Sequence, residues 1–182
     1  NIYYAGTADS LGEVGTGDQL STAELRRMYE WAVENNINPV TYNGESCYIL
    51  LAHPRQCTSL DVDQDWRNAQ MNAGVRGQDN PLFKRSFGYY EGILVKEFNR
   101  VRANSTESNV RQAILTGADA VAQGVTSRPR LVRRKEDKYE DYYGIGIKQI
   151  LGHSRADYVD RANATTINQS SALWYTWAQS SL

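Results

Sequence analysis

Residues 47–52, CYILLA, run directly into His53-Pro54, and this junction constrains the fold more than any other stretch of the chain. Six consecutive apolar residues are too few for a buried helix, and no polar residue alternates with them. The run therefore reads as a strand covered on both faces. Such a strand needs packing layers above and below it, which favours a mixed helix and strand domain. Pro54 suits the first turn of a helix, where its missing N–H costs nothing, and His53 reads as an N-terminal cap or a loop hydrogen-bonder.

The flanking segments agree. Ser21 and Glu24 form an S-x-x-E capping box, with Leu20 and Leu25 placed as a hydrophobic staple. Leu25, Met28, Tyr29, Ala32 and Val33 follow at the spacing of a one-sided amphipathic helix, which Asn35-Asn36 and Pro39 end. Asn43-Gly44 marks a turn before the strand. A second helical stretch around DQDWRNAQMNAG closes at Gly74, EGILVKEF reads as another strand, and residues 75–81 and 103–109 read as polar loops.

VRQAILTGADAVAQGV supports two readings on its residues alone. Val110, Ala113, Ile114, Gly117, Ala118 and Val121 fit one helix face, although Gly117 inside a helix costs about 1 kcal/mol against alanine. The other reading is a strand over 111–116 that turns at Gly117 into a short helix. RPRLVRRKEDKYEDYYG sets five basic residues before four acidic ones, the pattern of a solvated hairpin or extended arm, and YGIGIKQILG and SALWYTWA are strand-like. The start, NIYYAGTADSLGEVGTGDQ, holds four glycines and no Met, and reads as the flexible beginning of a fragment or processed product. The expected organisation is a flexible segment 1–20, an α/β core over 21–125, and a mixed-charge loop with returning strands over 126–182.

Charge and motifs narrow the function. With 20 basic and 21 acidic residues the net charge is −1, so no overall basic character argues for specific nucleic-acid binding. No apolar run approaches the roughly 20 residues of a membrane span. Two cysteines do not make a disulfide framework, and three Asn-x-Ser/Thr sequons in an Asn/Ser/Thr-rich chain read as chance. His53 and Cys57, four apart, fall on one helix face as a nucleophile and base or two metal ligands would, but companions are lacking; the other histidine is His153. Asp61, Asp63 and Asp65 imitate the opening of a calcium loop. The sixth position is Trp66 where the turn needs glycine, and the twelfth is Asn72 where a bidentate Glu belongs. One of these aspartates capping a helix is the better reading. Phosphate-binding, dinucleotide and nucleophile-elbow glycine patterns are absent. No catalytic, cofactor-binding or metal residue is assigned, and the chain is expected not to be an enzyme.

Four phrases in order carry a resemblance: YILLAHPRQCTSLDVDQDW, NAGVRGQDNPLFKRSFGYYEGILVKEFNRV, RQAILTGADAVAQG and YYGIGIKQILG. Their marks are His53-Pro54 with Gln56 and Leu60, Asn80-Pro81-Leu82-Phe83, Gly88 with Tyr90, Gly92-Ile93-Leu94-Val95, and Leu115-Thr116-Gly117-Ala118 with Ala120. Over roughly residues 20–155 the chain resembles the C-terminal half of tailed-phage major capsid proteins of the Hong Kong 97 type. The resemblance implies an α+β fold, an A domain with a small central sheet flanked by helices plus part of the P domain, and favours the strand reading of RQAIL. It implies that an N-terminal arm, an E-loop and a spine helix precede this region in a larger protein.

The function so implied is self-assembly into the icosahedral head shell that encloses the genome, by interface complementarity rather than by chemistry. The partners would be other copies in hexamers and pentamers, with portal, scaffold or decoration proteins. Genome contact would be non-specific, with no membrane involved. The location would be the virion, assembled in the host bacterial cytoplasm. Without its arm and E-loop, this chain alone is expected to be monomeric or weakly associated. Candidate interface residues are Arg76 and Asp79 in the 75–81 loop, and Arg133, Arg134, Lys135, Glu136 and Asp137 in the mixed-charge run. The alternatives are another virion or tail binding module, or an enzyme using His53 and Cys57.

Overall fold

A computed structural model of the chain describes residues 1–72, 88–102, 109–135, 143–160, 165–167 and 170–178. They divide into two units, one of residues 1–118 with 157–182 and a second of residues 119–156.

The first unit is built on a seven-stranded mixed sheet. Its strands are β1 (Ile2–Tyr4), β2 (Val40–Tyr42), β3 (Glu45–Ala52), β4 (Tyr89–Tyr90), β5 (Ile93–Glu97), β6 (Val110–Thr116) and β11 (Ser171–Trp177). The order is β1-β11-β6-β3-β5-β4, with β2 joined to β3. β6 runs antiparallel to both β11 and β3, whereas β1 lies parallel to β11 and β5 parallel to β3. A parallel neighbour needs a crossover. Between β3 and β5 it contains α2 (Pro54–Val62) and α3 (Gln64–Asn72), following α1 (Thr22–Glu34) earlier in the chain.

The 47–52 run sits where the sequence places it, as the C-terminal part of β3, with Cys47, Tyr48, Leu50 and Ala52 buried. The core joins these to Leu25, Met28 and Ala32 of α1, Cys57 and Leu60 of α2, and Trp66 of α3. Across the sheet, large faces small: Trp174 pairs with Ala113, and Leu115 with Ala172. That alternation lets large and small side chains share one layer. Two two-residue turns, Asn43-Gly44 and Glu91-Gly92, have positive φ throughout and close the β2–β3 and β4–β5 hairpins.

Several expectations change. EGILVKEF begins as a turn, so β5 starts only at Ile93. RQAIL is a strand, but no helix follows Gly117: the chain enters β7 (Val121–Lys135) instead. A Cβ on Gly117 would stand 2.4 Å from Ile37 and 2.5 Å from the Asn38 carbonyl, so close backbone approach is what this glycine permits. On α1, Tyr29 and Val33 are exposed, and Trp31 takes their place inward through a hydrogen bond to the Tyr3 hydroxyl.

The 1–20 segment is not a free leader. β1 pairs with β11, Tyr3 stacks on Trp174 with centroids 4.8 Å apart, and Ala5, Val14 and Leu20 are buried. Counting glycines misjudged a segment that aromatic stacking and a buried carboxylate hold in place. That carboxylate is Glu24. Ser21 caps the α1 N-terminus as expected, but Glu24 does not close the box; it accepts from Gly6 N–H (3.1 Å), Trp174 Nε1–H (3.1 Å) and Arg27 (2.8 Å). The boundary at 125/126 also moves. Residues 119–156 form a unit of their own, and β11 belongs to the main sheet. A small ribbon of β9 (Tyr158–Asp160) and β10 (Thr165–Ile167) belongs to the same first unit. The 75–81 loop, Gly74 as a helix end, and residues 103–108 lie outside the described residues.

The second unit is a two-stranded antiparallel ribbon of β7 and β8 (Tyr143–Arg155). The hairpin reading of the mixed-charge run holds.

Candidate assembly surface

The residues that look reactive serve the fold. His53 is the N-cap of α2: its Nδ1 accepts from Arg55 N–H at 3.2 Å, and Gln56 Oε1 accepts from His53 N–H at 2.8 Å. Burial, then the Arg111 and Arg55 guanidinium groups, push the imidazole below its ordinary pKa against an opposing pull from Glu97. The neutral ring this favours is the form that can accept at the cap. Cys57 is fully buried with its thiol toward the Ala52 carbonyl, so it is not offered to a substrate. Asp63 of the acidic trio caps α3, accepting from Asp65 N–H (3.0 Å), and its other oxygen accepts from Thr22 N–H (2.7 Å) and the Thr22 hydroxyl (2.9 Å) at the start of α1. One carboxylate thus holds two helix N-termini together.

Of the proposed interface residues, Arg133 lies exposed on β7 opposite Ile145. Arg134 pairs in register with Gly144 and Lys135 with Tyr143. Arg76, Asp79, Glu136 and Asp137 lie outside the described residues.

Sequence reasoning passed over the apolar residues of the ribbon. In β8 the alternation Gly144-Ile145-Gly146-Ile147 sends both isoleucines to one face and leaves glycine on the other. Cross-strand partners share a face, and the register sets Ile145 beside Arg133, Ile147 beside Leu131, Leu151 beside Val125, and Val121 beside Arg155. Val121, Val125, Leu131, Ile145, Ile147 and Leu151 therefore fall in one stripe on the same face, interrupted by the Gln123–His153 pair. The other face carries Gly124, Gly144, Gly146 and Gly152 with Arg130, Lys148, Val132 and Ile150. The register shifts on β7 between Val125 and Ser127 and between Ser127 and Arg130, where extra residues face β8.

Almost every described side chain of both strands is exposed, Ile147 at 77% and Val121 at 66%. A two-stranded ribbon with an uncovered apolar stripe is marginal in water. The G-x-G-x alternation was the available signal, and the adjacent charge run drew attention from it.

The chain can be compared with known proteins on this basis. It is 26% identical over 161 residues to the major capsid protein of Pseudomonas phage KPP25, covering 82% of this chain and 43% of that protein. Its fold matches the capsid asymmetric unit of cyanophage Pam1 with a TM-score of 0.76 at 19% identity, covering 97% of this chain and 54% of that one. It matches the capsid of Ralstonia phage GP4 at 0.70 and 20% identity, covering 100% and 53%. The chain thus spans about half the length of the relatives it matches. The shared architecture is α+β, in agreement with the Hong Kong 97-type capsid fold that the four phrases implied. A model of the phage capsid protein family matches residues 3–170, and the chain belongs to that family.

Proposed function

We propose that the chain is part of a major capsid protein, a structural subunit that self-assembles into the icosahedral head shell around a phage genome. The observation that carries the reading is the match of residues 3–170 to the phage capsid protein family, and the exposed apolar stripe of the β7–β8 ribbon is a surface that further protein would cover. Covering its six large apolar residues would contribute on the order of 10 kcal/mol before the costs of association. Repeated around a closed assembly, such contacts gain further from avidity.

The partners are other copies, grouped in hexamers and pentamers, with portal, scaffold or decoration proteins meeting the finished lattice. The subunit would assemble in the host cytoplasm and reside in the virion. Arg133, Arg134 and Lys135, with Glu136, Asp137, Arg76 and Asp79, are its candidate contact residues, setting register through charge. Replacing Arg133, Arg134 and Lys135 with Glu is expected to impair assembly and leave the circular dichroism spectrum unchanged. Normal particles from that variant would refute the role of the basic run. The reading as a whole is tested by expressing the full-length protein of which this chain is part and examining density-gradient fractions by electron microscopy: closed shells support it, and their absence overturns it.

A further inference from the structure

The corner between β3 and α2 places a titratable group in a structural bond. His53 follows the last residue of the buried strand and caps α2, its Nδ1 accepting from Arg55 N–H at 3.2 Å. Only an unprotonated Nδ1 can accept that bond. A proton on Nδ1 sets one donor against another and deprives the Arg55 N–H of its partner.

Among the described residues, the charges that face the ring come from three elements: Arg111 on β6, Arg55 on α2 and Glu97 on β5. Burial, then the Arg111 and Arg55 guanidinium groups, disfavour an imidazolium at the cap, and only the Glu97 carboxylate favours one. Glu97 stands opposite Ala52 in the β3–β5 register, and Phe98 N–H donates to the Ala52 carbonyl at 2.8 Å. The end of β5 is therefore bound directly beside His53. The His53 side chain is half-buried and its backbone is extended (φ −68°, ψ 148°), so more than one χ1 well is open to the ring.

We infer that His53 is a proton-operated switch: neutral, it caps α2, and protonated, it leaves the cap and turns toward the Glu97 carboxylate at the end of β5. The two positions differ in proton affinity. The capped ring binds a proton weakly and the released ring binds it more tightly, so acid shifts the population to the released position. Because the capped ring titrates below the ordinary histidine value of about 6.5, the change takes place on the acid side of that value. Gln56 holds the corner while the cap opens. Its Oε1 still accepts from His53 N–H, and its Nε2 still donates to the Arg111 carbonyl and the Thr176 hydroxyl. The response is a loosening of the first turn of α2, with the sheet intact.

Hydrogen–deuterium exchange of the full-length protein, read by mass spectrometry, follows both halves of the switch. Exchange at the imidazole C2 position gives the His53 titration, with His153, exposed on β8, as the internal reference. Amide exchange over residues 54–58 gives the cap. From about pH 7.5 to about pH 5, protection of that segment, corrected for the intrinsic rate, is expected to fall about fivefold, the weight of one N-cap. Its midpoint should match that of the ring, while the β3 amides keep their protection. Glu97→Gln, at an exposed position, is expected to move both midpoints down. Arg111→Gln is expected to move both up, and it leaves the carbonyl that Gln56 holds in place. His53→Asn keeps a capping acceptor and should abolish the pH dependence. Opposite, paired shifts of ring and cap support the switch, since a fixed structural cap gives none. Constant protection of residues 54–58 across the His53 titration overturns it. So does an unmoved midpoint in Glu97→Gln, or a pH dependence that survives in His53→Asn.

Discussion

Replacing Gln56 with leucine tests the corner on which the first unit turns. The Gln56 side chain is fully buried. Its Oε1 accepts from His53 N–H at 2.8 Å, and its Nε2 donates to the Arg111 carbonyl at 3.0 Å and to Thr176 Oγ1 at 2.8 Å. One side chain therefore joins the start of α2 to β6 and β11. Leucine keeps roughly the volume and removes all three bonds. Each bond is worth about 1 kcal/mol net, and a buried donor left unpaired costs about 1–3 kcal/mol. The apolar gain of leucine offsets about 1 kcal/mol, so the expected loss is about 3 kcal/mol. For a domain of this size that lowers Tm by about 10 °C. Urea denaturation followed by tryptophan fluorescence reads it directly, since Trp174 lies on β11 two residues before Thr176. A Thr176→Val change should cost less in the Gln56→Leu background than alone, because the shared bond is already gone. A loss below about 1 kcal/mol for Gln56→Leu would refute the reasoning.

Further outcomes follow from the same packing. Gly117→Ala should cost about 2–3 kcal/mol in urea unfolding, because its methyl meets Ile37 and the Asn38 carbonyl. Burial raises the Asp63 pKa, but hydrogen bonds from Thr22, Asp65 and Trp66 outweigh it and leave the value lowered. Its contribution is thus present above the unfolded value of about 3.9 and lost as pH falls through the lower native value. Asp63→Ala should therefore cost about 2 kcal/mol at pH 7 and progressively less as the pH approaches 3. The native pKa of His53 is also lowered, so the unfolded chain takes up its proton first and stability falls as pH drops below about 6.5. His53→Asn keeps a capping side chain and should flatten that decline between pH 7 and 5 in thermal melts. Glu24→Gln turns an amide N–H₂ toward one of its donors and should speed amide exchange at Gly6 well beyond that of the β3 amides.

Local chemistry made much of the fold legible. The β3 run, Pro54, the His53 cap and the Ser21 cap are decided by residues close in sequence, and the structure places them as read. Partnerships between distant residues were not legible. Nothing near Ile2–Tyr4 announces pairing with Leu173–Tyr175, and nothing near Glu24 announces the Trp174 indole. Tyr29 and Val33 fit the helical period yet face outward, because Tyr3 and β11 draw Trp31 in. For the surface, the charge run located the ribbon correctly, while the face that matters became visible only once the β7–β8 register showed which residues stand side by side.

The most direct test of the account is a cryo-electron microscopy map of the assembled particle. It is expected to show Leu131, Ile145 and Ile147 of each subunit covered by protein, from the rest of the same subunit or from a neighbouring copy. A map in which that stripe faces solvent in every subunit would contradict the account.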